Sequence, residues 1–534
     1  MRKVLLGLMG LGVMLGLSTR SDADVAAVAA SQPIVAPSAA TKVVDPSFSK
    51  KRYDAIMGEL DAGGDLLVVA NLEGLIKQGV GAITRSVLLM GKGDPEAQAA
   101  LSCVAKVPGF LDKNGFYALQ GFGMSVVPRA DGLNTVKCFV ARDPAAVGLP
   151  LWRAMVGFNP KVMESSDFLP ADTELARTGT AEWRSFWKMI RTGVVEVGTP
   201  AVAAAFDAQL ASMATNVGVN LDKVFDSMTG ECFFSVQLSK TVMVDLPAAG
   251  STGPVKMPQP SILMGIAVSD NTLVASMEAA LAKSGMMPVP NEGELAGIKT
   301  LNLPIPLPIP LQPSYTVFSN VFLFGSTPAV VAEAITSFKS KNGLTATAQF
   351  KKAFEGLPVQ NNGISYMSAR FMNTLTDVQK AYMSAPGTGE AGMSEVMNQI
   401  LSHQQNMQSA MVIQNKKNGV LSLGNSSAGG REMIASMMMA PAGMLAAIAI
   451  PSFMKAKATS TQNSCINNLR MIEAAKEQWA LANKKNTGDA VVSSEVTQYI
   501  KGNQLPVCPQ GGTYTLNAVG SNCECSMPGH KLND

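Results

Sequence analysis

Three short words in this chain have the residue types of serine acyl-transfer chemistry: Ser47-x-x-Lys50, Ser269-Asp270-Asn271 and Lys283-Ser284-Gly285. In that chemistry a serine attacks a carbonyl, a lysine takes its proton, and the other two words converge from separate elements. The spacing here refuses it. SDN and KSG lie a dozen residues apart on what reads as one strand–helix unit, and Ser47 falls at the border of the chain's lead-in. The only histidines are His403 and His530, which removes most metal sites and histidine-based catalysis. His403, within HQQNMQ, reads as part of a solvated helix face, and His530 as part of a loose terminus. Met437-Met438-Met439 and Met444 could offer thioethers to Cu(I). Adjacent helical side chains diverge by about 100°, so packing is the better reading of that methionine cluster. The acidic pairs Asp61/Asp65 and Asp172/Glu174 flank strand starts and read as turn and cap residues. No catalytic residue, cofactor or metal is expected, and the chain reads as non-enzymatic.

A different kind of chemistry lies near the carboxyl end. Residues 433–450 are apolar except for Ser436. Their length sits at the lower edge of a membrane span, and Ala, Gly and Met dominate over Leu. Past Pro451, which should kink a helix, Cys465, Leu469, Ile472, Ala475, Trp479 and Ala482 recur at helical spacing. Asn486 and Gly488 supply a stop.

The words CINNLR, AAKEQWAL, LPVCPQGGTYTL and CSMPGH resemble type IV pilins and type II secretion pseudopilins over about 90 residues. The resemblance implies a helix whose apolar half buries against membrane or neighbouring subunits, and whose amphipathic half packs beneath a small hairpin near 513–525. Ile448, Ile450, Pro451, Phe453, Leu469, Ile472 and Trp479 are then the packing and assembly residues. Partners would be pseudopilin-like chains or further copies, meeting residues 433–482. The chain departs from the family in one telling place. Ile434 stands where the spine helix of pilins carries a glutamate, and Glu432 is out of register. No prepilin-type processing is expected. By analogy with the terminal loop of pilins, Cys508 and Cys525 are the candidate disulfide. Four tail cysteines allow three connectivities, and all seven in the chain could instead be apolar fillers.

Arg2 and Lys3 followed by the apolar run Val4–Leu17 read as a secretory signal, 1–18, and residues 19–45 as a flexible lead-in. The expected location is outside the cytoplasm: periplasm, envelope or cell surface. A spanning helix at 433–450 would then carry the tail's cysteines back into a reducing space. Weak hydrophobicity and Pro441 favour burial against protein over a span, with membrane contact as the other outcome. A net charge of +3, thinly spread over 534 residues, gives nucleic acid no footprint.

In front of the tail, a strand followed by an amphipathic helix recurs at 65–80, 173–190, 261–285, 320–340 and 363–383. Stretches 116–127 and 134–141 alternate like hairpin strands. The fold class is α+β, with curved antiparallel sheets and helices on one face. The expected division is a lobe at 46–160, a second at 161–425, and the pilin-like helix and small sheet at 431–534. Pro304, Pro306, Pro308 and Pro310 remove the donors from one side of a strand, which reads as a protected sheet edge in preference to a polyproline ligand for a partner domain. The words DGLNTVKCFVA, FLPADTELARTG and LNLPIPLPIPL also resemble a family of secreted bacterial proteins of uncharacterised activity, over about residues 50–425. That resemblance implies no site. The expected function is an envelope or surface component that associates through its tail. The alternative is an exported binding or carrier module for an apolar ligand.

Overall fold

The computed structural model describes residues 46–90, 97–157, 159–246, 255–302, 311–383, 401–402, 404–433, 462–509, 511–527 and 529–532. The segment 1–18 expected to be a secretory signal, the proline-rich run, the methionine cluster, His403 and the apolar run beyond Met433 lie outside them. The chain forms two units, one ending at Met433 and one beginning at Ile434.

The recurring local pattern of the front unit becomes three copies of one module: a strand, helical crossing, and an antiparallel hairpin. The first is β1 (Leu66–Asn71), helices Leu75–Met90 and Ala97–Lys113, then β2 (Leu119–Pro128) and β3 (Asn134–Arg142). The second is β4 (Thr173–Thr180), three helices between Trp183 and Ser227, then β5 (Met228–Leu246) and β6 (Val255–Val268). Four strands then intervene: β7 (Val289–Pro290), β8 (Lys299–Thr300), β9 (Ser314–Phe318) and β10 (Val321–Gly325). The third module is β11 (Gly363–Met367), helix Ala369–Met383, β12 (Ser409–Lys416) and β13 (Gly419–Ser426). Every expected strand–helix couplet is present.

Among the described residues, the 13 strands of this unit join one antiparallel sheet, in the order β1-β2-β3-β13-β12-β11-β4-β5-β6-β10-β9-β8-β7. The expected break into lobes near residue 160 is therefore not where the chain parts. The third module inserts between the other two: β13 pairs with β3 over eight residues, and β11 pairs with β4. Local periodicity specifies what a module contains but carries no information on which module lies beside which.

The main core is shared by the second module, the intervening β10 with the helix that follows it, and the third module, around Leu169, Leu263, Leu323, Val331, Ala334 and Val412. Helix Pro328–Ser340 starts cleanly because Thr327 Oγ1 accepts the Val330 N–H at 3.3 Å and Pro328 sits in the first turn. It lays Val330, Val331 and Ala334 onto the sheet. The β9–β10 hairpin turns on Ser319 and Asn320, both left-handed at φ 49° and 57°, as a two-residue type I′ turn requires. Opposite Phe233, Gly265 leaves room for the ring; a Cβ there would lie 2.0 Å from it.

Glu174 departs from its expected turn role. It lies within β4, accepts hydrogen bonds from Ser368 Oγ and Arg370 Nη1, the latter at 2.7 Å, and pairs with Arg370. Asp61 likewise pairs with Lys137 at 2.6 Å, so both acidic residues tie strands to distant sequence.

In the tail unit a helix spans 462–482, followed by a short helix Ser493–Val496 and a two-stranded sheet of β14 (Tyr514–Thr515) and β15 (Glu524–Cys525). Leu469, Ile472, Ala475 and Trp479 are buried against Val496, Ile500, Leu516 and Cys523. No helix among the described residues is long and apolar enough to cross a membrane.

Candidate functional site

Two of the acyl-transfer words sit at opposite ends of one helix. Ser269-Asp270-Asn271 immediately precedes helix Thr272–Lys283, and Lys283 closes its far end, about 18 Å away at 1.5 Å per residue. Asp270 does local work instead: Oδ1 accepts the Thr272 N–H at 2.7 Å, and hydrogen bonds from the Thr272 side chain and then its N–H hold the carboxyl below the usual range. A cavity of about 430 Å³ beside it contains the ion pair Lys161–Glu231 and the rings of Phe168, Phe233 and Phe338. Glu231 also accepts the Ser165 N–H at 2.8 Å, so its charge is already matched.

A second cleft, of about 320 Å³, has a more unusual feature. Arg142, the last residue of β3, is fully buried there. Its Nη2 donates to Asn415 Oδ1 at 2.7 Å and to the Lys416 carbonyl at 2.5 Å. Its guanidinium stacks over the Trp152 ring at 5.1 Å. Nε and Nη1 are buried without a hydrogen-bond partner. Burial lowers its pKa, yet a guanidinium remains charged in proteins. No carboxylate pairs with it among the described residues; Ile56, Phe139, Ala141 and Pro144 supply the apolar walls. A buried cation with two unused donors and greasy walls can hold the head of an amphiphilic anion.

The third arrangement lies in the tail. Cys465 on helix 462–482, Cys508, Cys525 on β15 and His530 offer ligand atoms that all lie within 4.8 Å of one another. Three separate pieces of backbone deliver them. Cys465 comes from the buried stripe of the helix, the position the sequence reading assigned to apolar packing. Cys508 opens a turn closed by the Gly511 N–H donating to its carbonyl at 2.9 Å, with Gly511 at φ 76°. His530 is brought back by its own N–H donating to the Met527 carbonyl at 3.2 Å, and by a bridge from Lys531 to Glu524.

His530 was expected in a loose terminus; it is 4 % exposed, its ring nitrogen Nδ1 3.7 Å from Cys508 Sγ. Nor does a disulfide join Cys508 to Cys525; all seven cysteines are thiols. The expected pair is close in space, but a third sulfur and an imidazole share its pocket, so pairing is only one of several ways to use it. Cys523 stays outside the group. Burial pushes its pKa up to about 12, and the protonated thiol donates to the Leu516 carbonyl at 3.2 Å.

Of the expected assembly residues, Ile448, Ile450, Pro451 and Phe453 lie outside the described residues. Leu469, Ile472 and Trp479 are buried in the tail's own core. Sequence reasoning also missed Lys476. It is buried beside them, its Nζ donating to the carbonyls of Leu516 (3.1 Å) and Ser521 (2.5 Å) and pairing with Glu473 at 2.8 Å. Burial works to raise the Glu473 pKa, but Lys476 and the Cys523 N–H outweigh it and hold the carboxyl low. Compared with protein-family models, curated proteins and solved structures, the chain matches none.

Proposed function

We propose that this chain is a non-enzymatic exported protein of the cell envelope or surface whose tail associates with pseudopilin-like partners or with other copies. One observation carries this reading. The amphipathic helix 462–482 fills its buried face within its own small unit, using core residues from Leu469 onward. The apolar run 433–450 has Ser436 as its only polar side chain. Such a run needs cover from protein or lipid. In this reading the helix is the second half of a pilin-like spine. Deleting 431–534 is expected to shift the chain from an envelope or assembled fraction into the soluble one. Unchanged fractionation sinks the proposal.

The Arg142 cleft favours a second reading, an exported carrier for an apolar ligand bearing an anionic head. Native mass spectrometry of protein from its source is expected to show a retained carboxylate- or phosphate-bearing lipid, lost in Arg142→Met. A chain that is always empty overturns it.

A further inference from the structure

We propose that the tail unit binds a zinc ion through Cys465, Cys508, Cys525 and His530, as a closed structural site. This goes beyond the assembly reading and does not depend on it.

The donors are of the right kind. Three sulfurs and one imidazole are a standard ligand set for structural zinc, with all four positions supplied by protein and none open to substrate. The dimensions also fit. With Zn–S about 2.3 Å and Zn–N about 2.0 Å, a tetrahedral S···N edge is about 3.5 Å and an S···S edge about 3.8 Å. Cys508 Sγ and His530 Nδ1 already stand 3.7 Å apart, and no pair in the group exceeds 4.8 Å. The ion needs only a small inward movement of the four ligand atoms.

The surroundings point the same way. Tyr514 Oη donates to Cys465 Sγ at 3.3 Å and is itself held by Asn468 Nδ2 at 3.2 Å. The Met527 N–H donates to Cys525 Sγ at 3.5 Å. Donors aimed at sulfur favour thiolate ligands and fix their orientation. Gly512 permits the close approach, since a Cβ there would lie 2.7 Å from Cys525 Sγ. Binding converts three thiols to thiolates, releases three protons to solvent, and uses neutral histidine, leaving a net charge of −1 on the assembled centre. Its effect is to fasten helix 462–482 to both terminal loops, a substantial gain for a unit with a small core.

The test uses the full-length chain, reduced and loaded with zinc or cobalt(II). Zinc is expected to survive gel filtration in stoichiometric amount. Cobalt should give sulfur-to-metal charge-transfer absorption and the intense ligand-field bands of tetrahedral geometry, bleached by zinc. Cys465→Ser and His530→Ala should lose retention, whereas His530→Cys restores it and Cys103→Ser leaves it unchanged. Tyr514→Phe should weaken zinc by about 10- to 100-fold. Should the ligand variants fail to fold, the cobalt spectrum of the unaltered chain decides alone. A reduced chain that takes up no cobalt, or gives only weak octahedral bands, overturns the proposal. So does a Cys508–Cys525 disulfide in protein isolated from its source.

Discussion

Trp479→Ala is expected to abolish protection of helix 462–482 in hydrogen exchange while leaving the front unit's pattern in place. The indole is 1 % exposed, and its Nε1 donates to Glu495 Oε2 at 2.9 Å. Truncation removes the transfer energy of a large aromatic side chain and leaves a cavity beside Val496 and Ile500, while the exposed Glu495 carboxylate passes to water. Such changes cost about 3–5 kcal/mol. Whole domains have only about 5–15 kcal/mol in hand, and a small one lies at the low end. Trp479→Phe keeps most of the packing and should lose about half as much. Leu481 is 87 % exposed on the same helix, so Leu481→Ala should be nearly silent. Exchange across 462–482 that is unaltered in Trp479→Ala would falsify this account of the tail core.

The second large effect belongs to the front unit. Glu174→Ala is expected to lower its stability by about 2–4 kcal/mol in urea unfolding. The Glu174 side chain is 13 % exposed and that of Arg370 36 %, so the pair is partly sheltered and its strength lies below that of a fully buried one. Arg370 also donates to the carbonyls of Leu238 (2.9 Å) and Ser239 (2.7 Å). Ser368 Oγ meanwhile accepts the Phe371 N–H at 3.1 Å, capping helix Ala369–Met383. Losing the carboxylate therefore loosens β4, the middle of β5 and the start of that helix together. Combining Glu174→Ala with Arg370→Met should cost at least about 1 kcal/mol less than the sum of the two. Strict additivity would show that the residues are merely near one another.

The sequence was most informative where structure is local. Couplets such as 65–80 and 363–383 carry both a period-2 and a period-3.6 pattern, and both patterns are set by neighbours in the chain. Hairpin β2–β3 was readable for the same reason. The sheet order was not, because pairing of β13 with β3 depends on backbone edges that look alike from sequence. The same limit hid the tail's chemistry. Cys465 sits at a helical spacing that an apolar residue would equally satisfy, and nothing in CSMPGH announces that His530 folds back into the core. Lys476 interrupts a hydrophobic stripe, and only the carbonyls that surround it explain why a cation is tolerated there. Glu174 read as a cap because its partner lies 196 residues away.

The position of the third module also bears on how the protein is made. During synthesis the first two modules emerge well before Gly363–Met367, which covers β4, and Gly419–Ser426, which covers β3, so the facing rims of those two strands stay unsatisfied in the interval. At about 5–20 residues per second that interval lasts on the order of tens of seconds. Two bare strand rims on one nascent chain invite pairing with the wrong neighbour. Successful production therefore depends on keeping incomplete chains apart until the final hairpin slides between its two waiting flanks.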